Sequence, residues 1–408
     1  DRLINSYSYG GLFRNDMAWF QGDAVRKNPN LKPETTISKE IGAEVRLLDG
    51  RLTADVTYYD KYTRDQIVES ELSYLSNYQR VIINSGKISN KGWEISVSGV
   101  PVKVKNFEWK TIFNWSKNNS MVESLPEGID KIQIGSGVYN VKSYAEVGKP
   151  YGAIYAKTFK RDAEGYILCQ LDGSPKEGQD YEYLGCVQAD WRGGWNNVFR
   201  LGNFSFSVMF DFQKGGKFFS QTSIQSSVDG QSVKSLEGRD ADFFSRKILG
   251  ESDEERYGFM RPQNANTPTA NGQIYPDWGR PKGVVLPNCR YDEDVEGLAG
   301  QQVLGYCTPE RYWMHYTSRD ISRFIYDASY VKLREITVSY DLPKKWLRKT
   351  PFQTFRVAAV GRNIATLFAN TPHGLDPQAT STTGNAQGFE RGFNLPSATY
   401  GFDIKVSF

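Results

Sequence analysis

The stretch Ile37-Ser-Lys-Glu-Ile-Gly-Ala-Glu-Val-Arg-Leu47, then Asp49-Gly50, then Leu52-Thr-Ala-Asp-Val-Thr-Tyr-Tyr59 reads with a period of two. Ile37, Ile41, Ala43, Val45 and Leu47 share one side of an extended chain, with Lys39 the one polar residue among them. Ser38, Glu40, Gly42, Glu44 and Arg46 share the other. Side chains alternate across a β-strand, so this pattern is a strand with one apolar and one polar face. Asp-Gly favours positive φ at both centres of a tight turn, which makes the pair a hairpin signal. The second strand repeats the division, with Leu52, Ala54, Val56 and Tyr58 opposed by Thr53, Asp55, Thr57 and Tyr59.

The pattern recurs along the chain. Trp93, Ile95, Val97 and Gly99 alternate with Glu94, Ser96 and Ser98, after a polar stretch from Glu69 to Asn90 that reads as a connection. Phe107, Trp109, Thr111, Phe113 and Trp115 oppose Glu108, Lys110, Asn114 and Ser116. A further hairpin turns at Gly202-Asn203, with Phe204, Phe206, Val208, Phe210 and Phe212 on one face. Other strands are expected near Tyr151–Phe159, Tyr330–Leu342 and Phe355–Asn363, and about ten in all. The last residues put Tyr400, Phe402, Ile404, Val406 and Phe408 on one side and Gly401, Asp403, Lys405 and Ser407 on the other. Short turns alternate with long loops, of which residues 215–322 carry little periodicity. Long strands, asymmetric loops and apolar faces suit an antiparallel transmembrane β-barrel, whose outer face meets lipid and whose inner face is wet. A soluble all-β protein shares the alternation.

Composition narrows the field. Fifty Lys and Arg against 47 Asp and Glu give a net charge of +3 over 408 residues, with no basic footprint for nucleic acid. No apolar run is long enough for a membrane-spanning helix, a test that barrel strands never meet. The two histidines, His315 and His373, are far apart, and no nucleophile elbow, zinc helix or phosphate-cradling loop appears. Catalytic residues, metal ligands and cofactors are therefore not expected. The acidic runs Asp292-Glu293-Asp294 and Glu251–Glu255 read as solvated loops. Four cysteines fall into two local groups, and the expected disulfides are Cys169 with Cys186 and Cys289 with Cys307. Each would close a short loop and stabilise it by roughly 3 kcal/mol in the chain-entropy model.

Several segments resemble one family. Asn28-Pro-Asn-Leu-Lys-Pro-Glu34 is similar to an NPxLKxE strand entry, and Asn84-Ser-Gly-Lys-Ile-Ser-Asn-Lys-Gly-Trp-Glu94 to an NxGxxxNKGxE segment. Phe210-Asp-Phe-Gln-Lys-Gly-Gly216 resembles an xDxxKGG strand end, and Tyr326-Asp-Ala-Ser-Tyr-Val-Lys-Leu-Arg-Glu335 a run ending in LR. Gly361-Arg-Asn363 matches a GxN strand end, and Gly374-Leu-Asp-Pro-Gln378 a GxDPE loop with Gln378 in place of the acid. The order and spacing are similar to those of the C-terminal part of SusC/RagA-type TonB-dependent outer-membrane transporters of Bacteroidetes. The resemblance implies a barrel of about 22 strands around a plug. The 408 residues are then one unit, the C-terminal portion of that barrel, lacking the plug and early strands.

It also implies import of oligosaccharides or oligopeptides across the cell outer membrane of a Gram-negative bacterium. The implied partners are a SusD-like lipoprotein lid, the TonB complex acting through the missing N-terminal part, and outer-membrane lipid with lipopolysaccharide. The face of Tyr400, Phe402, Ile404, Val406 and Phe408 resembles the signal read by the barrel-assembly machinery. Trp191, Tyr275, Trp278, Tyr312 and Trp313 lie in or beside the long loops. They could stack on sugars, meet peptide side chains or the lid, or simply pack the loops. The competing functions are a soluble or secreted all-β carbohydrate-active enzyme and a passive porin-like barrel.

Overall fold

The computed structural model describes residues 3–13, 17–72, 78–136, 139–236, 284–307, 312–372, 374–379, 387–392 and 397–408. Nine long strands make its principal sheet: β1 (Thr35–Leu47), β2 (Leu52–Glu71), β3 (Arg80–Val104), β4 (Phe107–Ser124), β5 (Trp191–Leu201), β6 (Phe204–Lys214), β7 (Tyr330–Asp341), β8 (Thr354–Ala369) and β9 (Thr399–Ser407). They are bonded in chain order, each antiparallel to the next, with the short strand Val25–Arg26 added beside β3. β1 and β9 are not paired with each other among the described residues, so the sheet is an open arc, part of a barrel.

The local chemistry explains the elements. Asp49 and Gly50 are the two central residues of the first turn, with φ of 52° and 80°. The Arg51 N–H closes that turn on the Leu48 carbonyl at 3.0 Å. The four connections at this rim span residues 48–51, 105–106, 202–203 and 342–353. The opposite rim carries the other described connections.

β2 and β3 are longer than their alternation suggested, pairing as far as Glu71 with Arg80. The sequence reading took much of this polar stretch for a loop. Alternation fades there because these strands leave the bilayer and pack only locally, with Val68, Ile82 and Ile88 buried and Ile88 set against Ala145 of the cap, so no continuous dry face sorts the residues. Two resembling segments fasten this extension. The Asn84 amide oxygen accepts from the Lys32 N–H at 2.9 Å, and its nitrogen donates to the Lys32 and Asp65 carbonyls at 2.8 and 2.7 Å. Glu34 accepts from the Ile67 N–H at 2.6 Å, two residues past Asp65, whose φ is 56°. At Gly92 a Cβ would lie 2.3 Å from the Lys117 carbonyl oxygen and 2.4 Å from the Tyr59 hydroxyl. The tyrosine ring lies over a site that only glycine leaves open.

The apolar faces point away from the polar ones along the whole arc. Exposed Ile41, Trp93, Phe113, Trp195, Phe206 and Phe402 continue one surface, and Phe402 is 87% exposed. Contiguous apolar area on this scale marks a partner or a membrane. Two indoles on this face are paired: Trp109 donates to Asn197 at 3.0 Å, and Trp195 to Thr111 at 2.9 Å. Hydrocarbon offers no substitute partner, so such pairing is what lipid contact demands.

The long connections build a cap with its own cores. Strands 131–136, 142–146, 153–159 and 177–186 form one sheet. The strand expected near Tyr151–Phe159 therefore exists as Ala153–Phe159, but in the cap and not the barrel. Strands 167–169, 284–291 and 302–307 form a second sheet, and 217–220, 325–327 and 389–390 a third.

Two readings are corrected here. Asp292 is buried, not solvated. Lys160 and Lys176 pair with it at 2.9 and 2.8 Å, and the Glu293 N–H donates to it at 2.9 Å. The expected disulfides are absent too. Cys186 accepts from the Gln188 N–H at 3.5 Å and lies opposite Ala153 in the first cap sheet, whereas Cys169 lies opposite Tyr291 in the second. Cys289 stands opposite Val303 while Cys307 stands opposite Val284, at the other end of the same hairpin.

Asp292 makes a pH prediction. Burial raises its pKa, but the two lysines and the N–H outweigh that and hold it at about 2. The unfolded carboxyl titrates near 4, so the stabilisation is complete above that pH and is lost as pH falls through about 2. Hydrogen exchange over residues 284–303 should rise across this window in the native protein. Asp292→Asn should exchange faster already at pH 7 and show little further change. A pH-independent native profile would refute the linkage.

Candidate functional site

The inner face of the arc is a charged wall. Its key acid, Asp211, stands on β6 opposite Gly194 of β5 and Lys332 of β7. A bulge between Leu333 and Glu335 gives β7 one residue more than β6, and β8 has in turn one residue more than β7 there. At the bulge stands Arg334, two positions after Lys332, and its guanidinium lies on the same side as Asp211. Arg334 donates to Asp211 through Nε at 3.1 Å and also through Nη2. It donates to Asn363 at 2.8 Å and to Gln378 at 2.7 Å.

Lys332 completes the cluster. Its ammonium donates to both carboxylate oxygens of Asp376 at 2.6 and 2.7 Å and to Gln378 at 2.9 Å. The Gln378 amide donates to the Tyr330 hydroxyl at 2.6 Å, which lies 3.3 Å from Asp211. The Lys332 side chain is 6% exposed and Asp376 14%. The loop bearing Asp376 and Gln378 is thus folded down onto the wall and tied to β6, β7 and β8 together. Four segments quoted for their resemblance meet here: the strand ends holding Asp211 and Asn363, the run through Arg334, and the loop 374–378. None of these residues was singled out from sequence. The available signal was charge on the inward parity of strands otherwise lined by Ser and Asn.

Two clefts open on the wall and share Arg192 and Asp211. One, of about 440 Å³, runs along Asp55, Glu94, Ser96, Asn114 and Met209. The other, of about 390 Å³, lies under Tyr330, Gln378 and Lys217. Both signs of charge face these spaces, together with amide and hydroxyl groups.

The loop aromatics divide. Trp191 borders a third cleft of about 220 Å³ beside Arg192, Ser116 and Asn118. Tyr312 and Trp313 are 1% and 3% exposed and meet edge to face with ring centroids 5.1 Å apart. They belong to the cap core with Phe159 and Tyr316, so as substrate or lid contacts they are ruled out by burial. Tyr275 and Trp278 lie outside the described residues.

Residues 4–364 match the family described as TonB dependent receptor-like, beta-barrel. The chain belongs to that family. TonB-dependent receptor barrels sit in the outer membrane, and the apolar outer surface of the arc is this chain's lipid face. Among curated relatives, TonB-dependent receptor P3 of Formosa agariphila is 25% identical over 395 residues, covering 91% of this chain and 33% of that protein. TonB-dependent receptor SusC of Bacteroides thetaiotaomicron is 29% identical over 104 residues, 25% of this chain and 10% of that protein. The fold is that of the RagAB peptide transporter structure, with a TM-score of 0.64 at 16% identity, over 100% of this chain and 38% of that one. The chain thus spans about a third of the length of these receptors.

Proposed function

We propose that this chain is the C-terminal part of a receptor barrel that imports oligosaccharides or oligopeptides, energised through TonB and closed by a SusD-like surface lipoprotein. The observation that carries the reading is the sorting of the nine strands, lipid face against charged wall, within a chain of this family. The plug that meets TonB, the remaining strands and the lid lie beyond the 408 residues. Substrate runs along the wall past Asp55, Glu94, Arg192 and Asp211, with Trp191 as an aromatic contact at its edge. The exposed face of Tyr400, Phe402, Ile404, Val406 and Phe408 serves as the assembly signal and as a lipid contact. No covalent chemistry is assigned to any residue.

The test is uptake by cells producing the full-length protein with its own lipoprotein. Labelled oligosaccharides and oligopeptides form the two arms, each with TonB present and absent. We expect accumulation of one class only, dependent on TonB and reduced several-fold by Arg192→Ala. TonB-independent passage would restore a passive porin. Cleavage of the label outside the cell by purified protein would restore an enzyme.

A further inference from the structure

Cys169 and Cys289 lie about 120 residues apart in the chain and meet in the cap core. The strand Ile167–Cys169 pairs in parallel with Val284–Tyr291, Ile167 opposite Cys289 and Cys169 opposite Tyr291. Residues opposite one another, and those two apart, share a face of a sheet, so the two cysteines are diagonal neighbours on one face. Both are 0% exposed. Their thiols are in hydrogen-bond contact, and the Cys289 thiol also donates to the Leu286 carbonyl at 3.2 Å. The space is kept open from the far side by Gly305, where a Cβ would stand 2.5 Å from the Cys289 sulfur.

We infer that Cys169 and Cys289 are the two halves of a disulfide that ties the 167–169 segment of one cap loop to the 284–307 hairpin of another. The two sulfurs already touch, and closing them into a bond asks the short 167–169 strand to draw in from the ordinary diagonal spacing of about 7–8 Å. The step is a thiol–disulfide exchange. A periplasmic oxidoreductase in its disulfide form takes two electrons and two protons from the thiols and leaves as a dithiol, while the S–S bond forms here. It acts before the core closes, because a buried sulfur is inaccessible to an enzyme. In the reduced core, contact with Cys289 and burial push the Cys169 thiol well above the ordinary cysteine range, so oxidation after closure is disfavoured. Cys186 is no competitor, since it sits in a different sheet opposite Ala153.

The experiment uses full-length protein purified from outer membranes, denatured in N-ethylmaleimide without reductant, digested and analysed by mass spectrometry. The expected product is a peptide pair joining Cys169 to Cys289 that disappears on reduction. Recovery of both residues as maleimide adducts overturns the inference, and so does a Cys169–Cys186 peptide. Proteolysis of the folded barrel supplies a second readout. Cys169→Ser, Cys289→Ser and the double variant should shorten the lifetime of the cap by the same factor, since each removes one shared bond. Additive losses would mean independent packing roles and overturn the cross-link.

Discussion

Lys332→Met should destabilise the barrel by about 3–5 kcal/mol, the usual cost of removing one partner from a buried ion pair. The lysine is one of the few buried charges on the wall, and both oxygens of Asp376 depend on it. Methionine keeps most of the volume and supplies no donor, so Asp376 loses both ammonium bonds while the loop holds it largely out of water, and the exposed Gln378 oxygen keeps its bond from Arg334. The loop can escape only by lifting off the wall, which opens the cleft beneath Tyr330 and Gln378. Unfolding in detergent or bilayers, followed by heat-modifiable migration, measures the loss. Asp376→Asn should cost less, since its amide oxygen still accepts. The pair Lys332→Met with Asp376→Leu should recover much of the stability, because no unpaired charge remains. A Lys332→Met protein as stable as the native one would show that the loop is not held by this contact.

The barrel was legible in the sequence because its determinant is local. At Phe204–Phe212 each residue announces its face through its neighbour two positions away, and the structure keeps every one of those assignments. The cap was not legible, because its order comes from contacts between distant segments. Tyr312 and Trp313 look the same in sequence whether they greet a substrate or fill a core. Only the packing of residues 159, 167 and 291 around them decides. The cysteines teach the same lesson. Their spacing suggested local loops, yet a parallel pairing between remote strands, which leaves no periodic trace, brings Cys169 to Cys289. At the charged wall, the motifs were visible as separate short segments. Their convergence depends on β6, β7 and β8 lying side by side and on the 374–378 loop folding back onto β7, long-range contacts that no local pattern records.

Parity also yields the sharpest test of which face meets lipid. Val97 stands opposite Ala54 and Phe113, on the face that runs through Trp93 and Ile95. Its neighbour Ser96 stands opposite Asp55 and Asn114, on the wall of the larger cleft. Arginine at a lipid-facing site near the bilayer midplane costs about 2–4 kcal/mol, whereas a wet lumen exacts no such penalty. Val97→Arg should therefore lower the folded fraction in bilayers by one to several orders of magnitude at the native midpoint of unfolding. Ser96→Arg should leave it nearly unchanged, because the new cation lies near the carboxylates of Asp55 and Glu94 in water. The two variants differ by one position and carry the same side chain, so propensity and bulk are matched as closely as a strand allows. In a soluble protein with this sheet, arginine on the exposed apolar face would be the benign change, and the order of the two costs would reverse. The ranking of the pair, more than either value, decides between lipid and water on the outside of the arc.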